Sequence, residues 1–202
     1  MKVKKSRATR AEITREMLLS RARQLFTQKG YAEASTDELV RRAKVTKGAL
    51  YHHYANKLEL YRAVVVDMER EVVARIKAAA EANSDSGGRL RAVCRAYLDA
   101  CIDANLARIL VMEAPVVLGW KAWCNIAQEY EVAALAKHLD EAVAAGVVRD
   151  QPLETMAQVL LGALNTAARV IATAPDPAAA RLQVEETIER LLQGLASSNL
   201  SA

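Results

Sequence analysis

His52 and His53 stand side by side in the stretch VTKGALYHHYANKLELY (45–61), among three tyrosines, two lysines and one glycine. Imidazoles can ligate a metal, move protons or donate hydrogen bonds to an anion. A metal site needs ligands that converge. Adjacent residues on a helix point about 100° apart, and no third His, Cys or carboxylate lies three or four residues beyond the pair. Catalysis fares no better, since the chain has no nucleophile elbow, phosphate loop, HExxH or carboxylate pair set by a motif. His138, near Asp140 and Glu141, is expected to be a solvated surface histidine. What remains is a group of donors, Lys47, Tyr51, His52, His53 and Lys57, suited to the oxygens of a polyanion. No cofactor, metal or enzymatic activity is expected.

The charge distribution points the same way. Residues 1–57 hold 14 Lys/Arg and 5 Asp/Glu, whereas residues 58–202 hold 14 and 19. A net charge of +4 thus conceals a basic quarter on an acidic body. The N-terminal arm, with Lys2, Lys4, Lys5, Arg7 and Arg10, would add mostly nonspecific attraction to phosphate.

These donors need elements to position them. The chain has one Phe, eight Gly and four Pro, and no stretch alternates apolar and polar residues long enough for a sheet, so an all-α fold is expected. A first helix reads from about Thr9 to Lys29, with Leu18, Ala22, Leu25 and Phe26 on one stripe and Gly30 as its stop. A second starts at Ser35 or Thr36, either of which can cap it, and Ser35 with Glu38 has capping-box spacing. Lys44-Val45 makes a turn, and Thr46 can cap a third helix from Lys47 to about Tyr54. Two short helices around a three-residue turn have the spacing of a DNA-reading motif. On the third, Ala49, Leu50 and Tyr54 can pack inward, leaving Lys47, Gly48, Tyr51 and His52 on the other side. Gly48 lets the helix N-terminus, with its free N–H groups, come close to a phosphate.

Beyond this segment, helices are expected at Lys57 to Ala82, Arg89 to Asn105, within Leu106–Ala114, Trp120 to Ala145, Pro152 to Thr173 and Pro177 to Leu195, with NSDSGG (83–88) as a loop. The total is about nine, divided into a domain of residues 1–57 and a larger helical domain of 58–202.

The ordered residues Gly30-Tyr31, Ser35-Thr36, Ala43 to Tyr54 (AKVTKGALYHHY) and Asn56-Lys57-Leu58 resemble the N-terminal domain of the TetR family of bacterial transcriptional regulators. Residues 106–175, with EAPVVLGW (113–120) and LLGALNTAARVIA (160–172), are similar to a C-terminal domain of that family. The resemblance implies a homeodomain-like, three-helix reading head and homodimers on near-palindromic double-stranded operators. Such proteins are usually repressors, released when a small-molecule effector enters the C-terminal domain. Carried over residue by residue, it makes Thr46, Lys47, Gly48 and Tyr51 groove-facing, and Thr36, His52, His53 and Lys57 clamps on the phosphate backbone. Two positions depart from the pattern. Lys44 stands where the family often has a turn glycine, and Asp37 places an acid near the expected phosphates, where it can complement the second helix's dipole.

In the C-terminal domain, Tyr97, Met112, Trp120, Trp123, Asn165 and Arg169 are the candidate pocket residues, being polar or aromatic groups on otherwise apolar helices. The last two helices carry apolar residues on more than one side. Leu160, Leu164, Ile188, Leu191, Leu192 and Leu195 are the expected dimer face, two helices per chain forming a four-helix bundle. Cys94, Cys101 and Cys124 include no CxxC pair. Cys94 and Cys101 would lie roughly 10 Å apart along one helix, too far for a disulfide, so reduced, buried thiols in a cytoplasmic protein are expected. No membrane span is expected: the N-terminus lacks an apolar core, and the longest charge-free apolar stretch, Thr155 to Ala168, falls short of the roughly 20 residues needed.

Overall fold

The computed structural model describes residues 7–196. Lys2, Lys4 and Lys5 of the basic arm lie outside them. Among the described residues there are nine helices and no strand, only an isolated bridge between Val148 and Ala196. The chain divides into two compact units inside one helix, the first ending at Asp67 and the second beginning at Met68.

The first unit holds α1 (Arg7–Glu33), α2 (Thr36–Ala43), α3 (Lys47–His53) and the start of α4 (Lys57–Glu81). Leu18, Ala22, Leu25 and Phe26 are buried on the face of α1 that their spacing marks out. Gly30 breaks that helix with φ 78 and ψ 172, a backbone position that an L side chain resists. The break brings Tyr31 back against Phe26 and Tyr61, at ring-centroid distances of 6.0 and 5.0 Å, and Phe26 meets Tyr61 edge-on at 5.1 Å. This aromatic cluster ties the end of α1 to α4. Asp67, last residue of the unit, pairs with Arg23 at 3.3 Å.

Ser35, not Thr36, caps α2. Its Oγ accepts from the Glu38 N–H at 3.2 Å, and Thr36 is the first helical residue. The reciprocal half of a capping box is absent from this geometry because the Glu38 carboxylate is held by Lys29 and Arg42, each at 2.7 Å. Lys44 adopts φ 52 and ψ 41, the left-handed conformation that glycine favours. Thr46 caps α3 by accepting from the Ala49 N–H at 3.1 Å.

The second unit contains the rest of α4 and five further helices. α5 (Ser86–Ala100) begins inside the stretch expected to be a loop, because Asp85 caps it and accepts from the Gly88 N–H at 2.6 Å. α6 spans 104–117 and α7 spans 120–144, and each has a π turn, Arg108–Glu113 and Gln128–Val132. The first of these sends the Ala114 N–H to the Ile109 carbonyl, so Pro115 continues the helix rather than interrupting it as expected. α8 (Leu153–Thr173) and α9 (Pro177–Gly194) complete the unit, α9 capped by Asp176. The core includes Leu98, Leu106, Ile109, Ile126, Leu135 and Leu139.

Three expectations change here. Leu160, Leu164, Ile188 and Leu192 belong to this chain's own interior rather than to a face open to a second copy. Of the expected dimer face, Leu191 is exposed and Leu195 half-buried. The exposed apolar residues of α8 are instead Val159 and Val170, which lie about 20° apart around the helix. His138 is buried, because it shares the inner face of α7 with Leu135, Leu139 and Ala142, and its Nδ1 lies 3.2 Å from Glu141. Arg181 is also buried, held by Asp99 and Glu185 at 2.7 Å. Lastly, α8 has 21 residues and an 18-residue window with a mean hydropathy of 1.2, long and apolar enough to cross a membrane by those measures. Seven of its residues, including Leu160, Leu164 and Ile171, are buried within this chain.

Candidate nucleic-acid interface and cavity

α3 exposes a short row of donors at its N-terminal end. Thr46, Lys47, Gly48, Tyr51 and His52 are exposed, whereas Leu50 and Tyr54 anchor the opposite side. Helix and cap follow from local sequence: Thr46 satisfies one free N–H, and the others remain open at the tip. The Thr46 hydroxyl oxygen is engaged, but its hydrogen remains free to donate. Gly48 has helical backbone, and a Cβ built on it would meet only Thr46 Oγ1, at 3.8 Å. Nothing among the described residues requires glycine there.

Charge at this tip is balanced by a near neighbour. The Lys47 ammonium lies 2.6 Å from the Asp37 carboxylate, and that hydrogen bond raises its pKa above the usual lysine value. His52 is exposed and His53 half-buried, with ring centroids 5.3 Å apart and tilted by 71°. Thr36 is half-buried at the start of α2. Lys57 is turned inward. Its Nζ stands 4.3 Å from the centre of the Tyr31 ring and donates to the Ala32 carbonyl at 3.3 Å, and burial lowers its pKa. Lys57 therefore helps to hold the Gly30 bend, and these contacts turn it away from the clamp role expected of it.

A separate cavity of about 660 Å³ opens among α6, α7 and α8 of the second unit. Met112, Trp120, Trp123, Asn165 and Arg169, five of the six residues picked from sequence, line it. The sixth, Tyr97, stands behind the wall and donates its hydroxyl to Asn165 Oδ1 at 2.7 Å. The two tryptophans, the only ones in the chain, lie 5.1 Å apart and tilted by 43°. Trp123 is fixed by its Nε1, which donates to the Leu110 carbonyl at 3.0 Å. Sequence reasoning missed Gln128 and Gln158, which line the cavity and bond to each other at 3.1 Å. Their signal was the same as that of Asn165, an amide on an apolar helix.

Behind the wall sits a second feature that the sequence reading did not single out. Glu69 of α4 and Glu131 of α7 are both buried and act on one another. Burial pushes Glu131 up to about 7, against hydrogen bonds with Glu69 and Tyr97, and burial followed by the nearby Glu131 pushes Glu69 well above the carboxylate range. The signal was legible: Val65, Met68, Glu69, Val72 and Ile76 form one helical stripe, and only Glu69 on it is polar. Cys94 and Cys101 are buried, and burial raises each to about 12, which keeps them as unreactive thiols. Cys124 lines the cavity and is half-buried, its pKa also raised by desolvation.

Comparison with known proteins closes the question of family. Residues 18–64 match the family model for bacterial regulatory proteins of the tetR family, and residues 88–195 match the tetracyclin repressor-like C-terminal domain. The Transposon Tn10 TetC protein of Escherichia coli is 35% identical over 117 residues, which cover 58% of this chain and 59% of that protein. The HTH-type transcriptional activator FasR of Mycolicibacterium smegmatis is 39% identical over 85 residues, covering 42% of this chain and 39% of FasR. The chain thus aligns with about two fifths to three fifths of the length of these curated relatives. The crystal structure of a TetR-family transcriptional regulator from Pectobacterium atrosepticum is 34% identical with a TM-score of 0.82, over 96% of this chain and 99% of that one. A capped, cationic α3 in one unit and a helical domain matched over its own length in the other lead to one conclusion: the chain belongs to the TetR family of DNA-binding transcriptional regulators.

Proposed function

We propose that two copies of this chain bind a near-palindromic operator as a repressor and leave it when a small molecule occupies the cavity of the second unit. The observation that carries this reading is the exposed tip of α3, where Lys47, Gly48 and Tyr51 face outward around uncapped N–H groups. In a twofold dimer, two such helices enter successive major grooves roughly 34–36 Å apart. Thr46, Lys47, Gly48 and Tyr51 face the groove, while Thr36, His52 and His53 meet phosphates on either side. The apolar residues left exposed on α8, Val159 and Val170, support a second copy packing there.

The cavity supports a ligand response over constitutive binding. Its size falls within the range of small-molecule sites, and its wall is mostly apolar with a few polar groups. α4 supplies residues to both units, so a ligand that binds one state of the second unit better can bias the spacing of the two reading heads. Activation is the second reading, favoured by the likeness to FasR, a transcriptional activator. The placement of the operator relative to a promoter separates the two.

Selection of bound sequences from a random duplex pool tests the reading. A twofold-symmetric motif whose affinity falls steeply with salt is the expected result. A protein that stays monomeric and recovers no motif would sink it.

A further inference from the structure

Hydrogen-bonding capacity is unevenly distributed around the cavity. Gln128 is engaged from both ends: its Nε2 donates to Glu154 at 3.1 Å, and its Oε1 accepts from Gln158 at 3.1 Å. Trp123 Nε1 is taken by the Leu110 carbonyl. Asn165 differs. Its Oδ1 accepts the Tyr97 hydroxyl at 2.7 Å, so the amide is turned with its two N–H groups directed away from Tyr97. Arg169, also in the wall, directs one N–H to Thr166 Oγ1 at 3.3 Å and keeps its other donors. Among the described residues no Asp or Glu lines the cavity. The buried carboxyls nearest in the network, Glu131 and Glu69, act on each other and on Tyr97 behind the wall. Among the described residues the wall therefore offers the Asn165 and Arg169 donors, the Gln158 carbonyl as an acceptor, one cation and an aromatic surface made by Trp120 and Trp123.

We infer that the cavity takes a flat apolar molecule carrying a hydrogen-bond acceptor, a carbonyl compound or carboxylic acid, with its ring on the tryptophan pair and its acceptor on the Asn165 amide. Organic cations bind more weakly, despite the attraction of a cation to the tryptophan faces. An ammonium group would lose water without gaining a carboxylate, and it would face Arg169. Tyr97 is a positioning residue: its hydroxyl lies between Asn165 Oδ1 and Glu131, and the hydrogen it donates to Asn165 fixes which end of that amide faces the cavity. Without it, the amide can rotate and present its oxygen. This inference rests on the reading of the cavity as the effector site.

Calorimetric titration of the full chain with three probes tests it: 2-acetylnaphthalene, 2-naphthoate and 2-(aminomethyl)naphthalene. The first two are expected to bind at least about tenfold more tightly than the amine, the factor that one hydrogen bond to a buried group supplies. Asn165→Leu should weaken both acceptor probes by about tenfold and leave the amine unchanged. Tyr97→Phe should shrink the acceptor-over-amine ratio, which a general loosening of the domain would not do. Equal binding of the amine, an unaltered affinity in Asn165→Leu, or no binding by any probe at millimolar concentration overturns the assignment.

Adding each probe to the protein on its selected operator separates the two claims. Acceptor probes that bind in the expected order without releasing the duplex leave the ligand class standing and retire the effector role. Release by the amine alone keeps the effector role and overturns the class.

Discussion

The Lys47 ammonium and the Asp37 carboxylate meet at 2.6 Å, joining the first turn of α3 to the first turn of α2. Both side chains are more than half exposed, so the pair contributes little to stability. On the proposed reading its weight falls on DNA binding, because the cation assigned to the groove is already paired in the free protein. Asp37→Ala should strengthen binding to any duplex and steepen the dependence of log K on log salt by about 0.9, one added phosphate-like contact. Lys47→Ala should weaken operator binding by about ten- to a hundredfold while changing random duplex far less. Salt titrations of both variants on both duplexes check the pair. Equal losses on operator and random DNA would make Lys47 a phosphate contact.

Gly48 sets fold stability against function. Alanine fits the backbone and meets nothing closer than 3.8 Å. Gly48→Ala should therefore raise stability by about 0.5–1 kcal/mol, the usual gain within a helix. The added methyl points toward DNA and should weaken operator binding. Thermal melts and operator titrations of one preparation reveal both effects, and undiminished binding would remove α3's tip from the groove.

The buried pair Glu69 and Glu131 makes stability depend on pH. Both hold their protons above the ordinary carboxylate value of 4.5, Glu131 up to about 7. The unfolded chain releases those protons near 4.5, so in that window the folded state binds more of them. Stability is then full below about 4.5 and falls as pH rises toward 7 and beyond, by up to about 1.4 kcal/mol per pH unit for each proton. Glu69→Gln should flatten that decline and raise the melting temperature at pH 8. Parallel slopes for the two proteins between pH 5 and pH 8 would show that the pair titrates normally.

The two faces of α8 separate association from folding. Val170→Glu places a charge on an exposed position and should shift sedimentation from dimer toward monomer with little change in the unfolding midpoint. Leu164→Glu buries an unpaired carboxylate in the core and should unfold the second unit. A Val170→Glu protein that remains dimeric would move the interface off this face.

The reading head was legible because its determinants are local. Ser35, Thr46 and Gly30 act on backbone within three residues of themselves, and the stripe from Leu18 to Phe26 needs only helical spacing. Which apolar face of α8 stays outside was not legible. A helical wheel shows that α8 is apolar on two sides, but Leu164 goes to this chain's core and Val170 to its surface only because of how α5, α7 and α9 pack around it. The pocket residues were found because Asn165 and the tryptophans are odd residues on apolar helices. Gln128 was overlooked although it continues the spacing of Trp120, Trp123, Cys124 and Ala127, because a polar residue on such a face reads as its solvent edge. Glu131, four residues after Ala127, was passed over for the same reason.

Those π turns have a consequence of their own. Each spends an additional residue within its helix without lengthening it in proportion. Deleting one residue from 108–113 would let α6 close into ordinary winding with the segments on either side nearly in place, because the wide turn already absorbs the extra residue. Val111 and Met112, which that turn carries into the cavity wall, would be displaced while every helix remained intact. The contour presented to a ligand is thus held by a count of residues as much as by their identities.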